Sequence, residues 1–169
     1  MSAPPADAMG LRAAPLLLLT ALLLAGASAG RERDPDRYKH FLNQHYDPSP
    51  TGHNARYCNR KMRSINGLRK PDARPGPKDC KETNTFIHDN INSMRAVCTP
   101  QGGEDYVTPA GQRMRRSRGP LSVTTCTLSG GSPPNNCEYR ATHGARTIVI
   151  ACDGQGRPEH FDENWIVAA

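Results

Sequence analysis

A chain of 169 residues with net charge +6, only 5% aromatics, 15 glycines and 15 prolines is one small basic domain with a modest apolar core. After its first residues no stretch is apolar enough to cross a membrane. A basic balance points to polyanionic partners (nucleic acid, heparan sulfate or bacterial surfaces), with charge kept for solubility as the bland alternative.

Residues 1–29 read as a cleaved secretory signal. Arg12 precedes an apolar run at residues 16–24, and Ala27-Ser28-Ala29 is a small-x-small cleavage site. The run is short for a bilayer span, so a membrane anchor is the lesser reading. A cut after Ala29 leaves residues 30–169 as one secreted domain. All six cysteines lie in it: Cys58, Cys80, Cys98, Cys126, Cys137 and Cys152. An even number in a small secreted chain predicts three disulfides, though spacing alone leaves the pairing open. A zinc site competes poorly, because no C-x-x-C pair is present.

The mature chain opens with a helix signal. Asp34 can cap, Pro35 suits the first helical position, and Asp36 falls in the first turn. Tyr38, Phe41, Leu42 and His45 recur at i, i+3, i+4 and i+7 and share one face, with Gln44 on its flank. His45 on that face reads either as a satisfied core histidine or as a catalyst. Pro48, Pro50 and Gly52 end the helix. A second helix is predicted at residues 55–65, carrying Cys58 and Met62, with Arg60, Lys61 and Arg63 on its other side. Residues 66–79 form a basic, Pro/Gly-rich connection. The stretch Cys80-Lys81-Glu82-Thr83-Asn84-Thr85-Phe86 then runs toward a strand. Asp89 opens a short helix reaching the Cys98 region.

Residues 99–120 read as loop-rich. Arg113-Met114-Arg115-Arg116-Ser117-Arg118 within them is either a polyanion-contacting loop or a solvated hairpin tip, with a dibasic processing site as a weaker third reading. Residues 121–128 alternate and are β-branched, so they predict a strand. A turn follows at 130–136. Strands at 137–142, 147–152 and 158–162 complete an antiparallel set. Three short helices with later strands give an α+β domain.

Three stretches share one chemistry. Beside Cys80, Lys81 sits on a cross-linked backbone and can aim one positive charge at one place. Thr83, Asn84 and Thr85 offer both donors and acceptors to a base edge. Gln44-His45 and His160-Phe161-Asp162 add two imidazoles. RNA carries its own nucleophile, the ribose 2′-hydroxyl. It needs a base for that proton, an acid for the leaving 5′-oxygen, and a cation for the phosphorane. Two histidines and a lysine suffice, with no metal or other cofactor. His40, His53, His88 and His143 have no such motif around them; His88 is placed at the edge of the site.

The set Gln44-His45, Cys80-Lys81-x-x-Asn84-Thr85-Phe86, Thr124-Thr125-Cys126, Cys137-Glu138-Tyr139-Arg140-Ala141-Thr142 and His160-Phe161-Asp162 resembles the pancreatic ribonuclease (ribonuclease A) superfamily. Six cysteines and Phe41-Leu42-x-Gln44-His45-Tyr46-Asp47 look most like its angiogenin and leukocyte ribonuclease branches. The resemblance implies a ribonuclease A-like α+β fold with a curved antiparallel sheet and the pairs Cys58–Cys126, Cys80–Cys137 and Cys98–Cys152. It implies His45 as general base, His160 as general acid, Lys81 as transition-state cation and Asp162 as the residue orienting His160. Gln44 is expected at phosphate, Thr85 and Asn84 at the pyrimidine, and Phe161 in packing and backbone contact.

The activity so implied is metal-independent cleavage of single-stranded RNA, tRNA included, 3′ of pyrimidines. Angiogenin-like signalling accompanies it, and a cationic heparin-binding or antimicrobial protein with weak nuclease activity is the alternative. Further implied partners of this monomer are heparan sulfate, a cytosolic ribonuclease inhibitor and a cell-surface receptor. Uptake to the nucleus and nucleolus or storage in granules are the implied destinations besides secretion. Two departures stand out. Ser64-Ile65-Asn66 interrupts the basic cluster that angiogenins carry near here. Glu163 stands where they usually have a glutamine implicated in obstructing the pyrimidine pocket.

Overall fold

The first helix packs its apolar stripe inward and ends at the residue on which the site is built. α1 (Pro35–His45) buries Phe41 and His45 and half-buries Leu42. α2 (Ala55–Gly67) buries Tyr57, Cys58, Met62 and Ile65, spaced along one face. Its N-cap is Asn54, whose side-chain oxygen accepts the Tyr57 N–H at 3.1 Å. The computed structural model describes residues 35–67, 80–132, 136–164 and 167–168, with Met1. Apart from Met1 these belong to the unit Arg33–Ala169; the unit Met1–Glu32, with the expected signal, lies outside them. The Asp34 cap, most of the 66–79 connection and residues 133–135 also lie outside.

α2 runs past the expected residue 65 and takes in Asn66 and Gly67. Tertiary contacts explain the extension. The Asn66 amide donates to the Tyr139 hydroxyl at 3.1 Å and its oxygen accepts the Lys81 N–H at 3.1 Å. α3 (Ile91–Ala96) is capped by Asn90, not Asp89. Asn90 accepts from the Asn92 and Ser93 amides, both at 2.9 Å. The Asp89 carboxylate is turned to the Ser122 N–H at 2.6 Å instead.

Eight strands are present among the described residues: β1 (Thr83–Ile87), β2 (Gly103–Val107), β3 (Arg113–Ser117), β4 (Leu121–Ser132), β5 (Asn136–Thr147), β6 (Val149–Cys152), β7 (Pro158–Phe161) and β8 (Val167–Ala168). All the strand pairs are antiparallel. They form two four-stranded sheets, β1-β4-β5-β8 and β2-β3-β6-β7. The chain passes from one sheet to the other at buried Ile148. The α+β class holds, with three helices, antiparallel sheets and three disulfides.

The predicted loop at 99–120 is a correction. It is mostly the hairpin β2–β3, and the arginine run is strand β3 rather than a tip. The turn lies at residues 108–112, where Gly111 takes φ +78, a conformation that suits glycine. Composition hid the hairpin because charged strand residues pair across it: Arg116 with Glu104 and Arg115 with Asp105. The turn expected at 130–136 is narrower in the structure. β4 and β5 stay paired out to Ser132 and Asn136, past a register shift between Leu128 and Gly130.

Alternation along β1 and β4 feeds two cores. Ile87 and Val123 join Phe41, Met94, Ile148, Ile150 and Phe161. Phe86 and Cys126 join Tyr57, Met62 and Tyr139 beneath α2. The bridges Cys58–Cys126, Cys80–Cys137 and Cys98–Cys152 are those the resemblance implies. Cys80–Cys137 ties the backbone beside Lys81 to β5.

Candidate active site

α1 is pinned to β1 just beyond its last turn. Asp47 N–H donates to Ile87 O at 2.9 Å, and Tyr46 bridges Ile87. This places His45 against Thr85. The His45 Nδ1–H donates to Thr85 O at 2.9 Å, because a carbonyl can only accept. The neutral ring therefore keeps its lone pair on Nε2, as a general base requires. The ring stacks on Phe161 (centroids 4.9 Å apart, 19° between planes) and is tilted on Phe41. Burial pulls its pKa down to about 3 against the carbonyl bond that raises it, and the charges of Lys81, His160 and His40 push the same way as burial.

Lys81 donates to Asn84 Oδ1 at 2.6 Å, and the Asn84 amide donates to Gln44 O at 2.9 Å. Asn84 is wholly buried. Its side chain joins Lys81 to the end of α1. Gln44 is half-buried beside His45. Phe161 is buried and serves the site through packing.

His160 is exposed on β7, opposite Ala151. Arg37 helps hold β7 to α1 through Glu159 at 3.4 Å. Asp162 accepts the Asn164 N–H at 3.0 Å, and no hydrogen bond joins it to His160 among the described residues. Through Oδ1 the carboxylate closes a tight turn after β7.

Glu163 occupies the middle of the site. It accepts from the Thr85 N–H (3.0 Å) and the Thr85 hydroxyl (2.7 Å). It also lies 3.8 Å from His45 Nδ1 and 3.9 Å from Lys81 Nζ. Burial raises its pKa, against the Thr85 hydrogen bonds and Lys81, which lower it. The other Thr85 hydroxyl contact is Thr125 at 3.1 Å. Position in the sequence marked Glu163 as a departure; only the fold shows that it takes both groups of Thr85.

Three of the histidines without a motif are elsewhere. His53, His88 and His143 gather around Thr124, so His88 is not at the edge of this site. They come from distant segments, and no spacing in the sequence signals them.

Fold and site together are those of a small disulfide-bonded endoribonuclease. Residues 36–162 match the Pancreatic ribonuclease family. Angiogenin of Sus scrofa is 44% identical over 155 residues, 92% of this chain and 95% of that protein. Angiogenin-2 of Bos taurus is 50% identical over 131 residues, 78% and 95% respectively. The solved structure of zebrafish RNase5 is 38% identical with a TM-score of 0.58, covering 78% of this chain and 99% of that one. Green turtle egg white ribonuclease is 39% identical with a TM-score of 0.58, covering 75% and 97%. The chain belongs to the pancreatic ribonuclease family and is a metal-independent ribonuclease.

Proposed function

We propose that this protein cleaves RNA 3′ of pyrimidines by transphosphorylation, at a rate held down by Glu163. His45 Nε2 takes the 2′-hydroxyl proton, and the 2′-oxygen attacks phosphorus. His160 protonates the leaving 5′-oxygen, yielding a 2′,3′-cyclic phosphate. Lys81, fixed by Asn84, stabilises the charge that builds on the phosphorane. Gln44 meets the phosphate, and Thr85 meets the pyrimidine once Glu163 withdraws. The observation that carries this reading is the His45 Nδ1–H bond to Thr85 O, which presents Nε2 as the base within the field of Lys81 and His160. The test is cleavage of tRNA and of a pyrimidine dinucleotide by refolded protein. His160→Ala should lose activity on both, and a 2′-deoxy substrate should resist. Cleavage of DNA at a comparable rate would defeat the mechanism.

Secretion follows from the leader at residues 1–29 and from the family; no helix among the described residues is long and apolar enough to cross a membrane. A second role in polyanion binding is supported by α2, whose exposed Arg56, Arg60 and Arg63 line one shallow concavity. Heparan sulfate fits that surface better than β3, whose arginines are largely engaged. Binding to a ribonuclease inhibitor or a receptor, and nuclear uptake, rest on the likeness to angiogenins alone.

A further inference from the structure

Three histidines from separate segments meet on the face of the β1-β4-β5-β8 sheet that lies away from Thr85. His53 precedes α2, His88 follows β1, and His143 lies in β5 opposite Thr124. One ring nitrogen of each lies within 4.8 Å of those of the other two. All three rings reach the hydroxyl of buried Thr124: His53 Nδ1 at 3.0 Å, His88 Nε2 at 2.8 Å and His143 Nδ1 at 3.2 Å.

The protons can be assigned. His88 Nδ1 is 2.7 Å from Asp47 O, and His143 Nδ1 is 2.9 Å from Val123 O. Carbonyls only accept, so both rings carry their proton on Nδ1. Thr124 then gives its single proton to His88 Nε2, and His53 Nδ1 must donate to Thr124. On His53 and His143 the nitrogen that faces Thr124 then carries the proton and the lone pair is on Nε2, so an ion beside Thr124 is bound through those two nitrogens only once the proton has moved to Nε2. His88 has its other nitrogen anchored to a backbone carbonyl, the arrangement that orients metal-binding imidazoles.

His53 and His88 are also disposed to stay neutral. His53 and His143 stack with centroids 3.7 Å apart and 20° between planes, a poor geometry for two cations. Desolvation lowers the pKa of both His53 and His88, and charge on the neighbouring imidazoles lowers it further, against Asp47, whose carboxylate raises both and whose carbonyl bond raises His88. Neutral imidazole is the metal-ligating form.

We propose that His53, His88 and His143 bind one divalent transition-metal ion, with water completing the coordination. Three imidazoles suit Zn²⁺ and Cu²⁺, with Cu²⁺ held more tightly. Ligand nitrogens at about 2.0–2.1 Å from zinc require the stacked His53 and His143 rings to come apart and turn toward the ion, which these exposed side chains are free to do. The ion displaces the Thr124 hydroxyl from His88 Nε2. The site is separate from catalysis because the pleat turns Thr125 toward Thr85 and Thr124 away from it.

The test uses the full oxidised chain. Zn²⁺ titration by calorimetry should give one equivalent, and Cu²⁺ should show hyperfine coupling to several nitrogens in electron paramagnetic resonance. His53→Gln combined with His143→Gln should weaken Zn²⁺ binding about a hundredfold, roughly tenfold or more per ligand. It should also abolish the rise in Tm that saturating Zn²⁺ gives the parent protein. Metal-free RNA cleavage by that variant should be unchanged, which shows that it folds. His160→Ala should bind Zn²⁺ as the parent does. The proposal is overturned if the parent binds no Zn²⁺, if the double variant binds it equally well, or if binding disappears with His160→Ala.

Discussion

Glu163 accepts both of the hydrogen bonds that Thr85 would offer a pyrimidine, from the backbone N–H at 3.0 Å and from the hydroxyl at 2.7 Å. A base can reach those groups only if the carboxylate leaves them. Its departure also removes the negative charge that lies 3.9 Å from Lys81.

Glu163→Ala should therefore raise kcat/KM on a pyrimidine dinucleotide roughly tenfold or more, since charge-assisted hydrogen bonds contribute about 1.5–3 kcal/mol. Glu163→Gln keeps an acceptor for the Thr85 N–H and should stay nearer the parent rate. Steady-state kinetics on the two variants decides the matter. An alanine variant no faster than the parent would mean that the glutamate does not limit substrate entry.

The rate should depend on pH as a bell, because His45 must be neutral and His160 protonated, and the limbs belong to the coupled pair. Burial depresses His45, so the acid limb should lie below the ordinary imidazole range. The same shift bears on stability. Below about pH 6.5 the unfolded chain takes up a proton that folded His45 refuses, so stability falls by about 1.4 kcal/mol per pH unit down toward the folded pKa. Urea unfolding of the parent and of His45→Gln between pH 7 and pH 4 measures this. Equal pH slopes for the two proteins would remove His45 as the cause.

Lys81→Gln should lower the rate by about 2–4 kcal/mol without moving the bell. Asn84→Ala should reproduce part of that loss, because it frees the ammonium from its 2.6 Å anchor. A shifted bell in Lys81→Gln would show that the lysine acts chiefly by tuning His45.

The arginines of β3 divide by their contacts. Arg115 donates to the carbonyls of Val97 (3.3 Å), Thr99 (2.8 Å) and Gly103 (2.6 Å). Arg115→Ala should cost about 1–3 kcal/mol of stability by removing these bonds, with little change in heparin retention. Arg56→Ala with Arg63→Ala should do the reverse, weakening retention on heparin while leaving Tm and dinucleotide cleavage nearly unchanged. Thermal melts and a salt-gradient heparin column separate the two outcomes.

Local pattern was enough for much of this molecule. The stripe from Tyr38 to His45 specified α1, and β-branched alternation specified β4, because both periodicities follow from backbone geometry alone. The motifs around His45, Lys81 and His160 carried the catalytic chemistry and the cysteine pairing through family likeness. Other features depended on residues far apart in the chain. Asn66 extends α2 through Tyr139 and Lys81, and Arg115 is drawn into β3 by carbonyls that no local window contains. Asn84 links Lys81 to Gln44, 40 residues away in the chain. The Glu163–Thr85 contact spans 78 residues, and the three histidines around Thr124 come together only when β1, β4, β5 and the start of α2 pack. Residue type and spacing determine which chemistry is available and which elements form. Which donor meets which acceptor is decided by tertiary packing, since long-range hydrogen bonds have no period for a sequence to display.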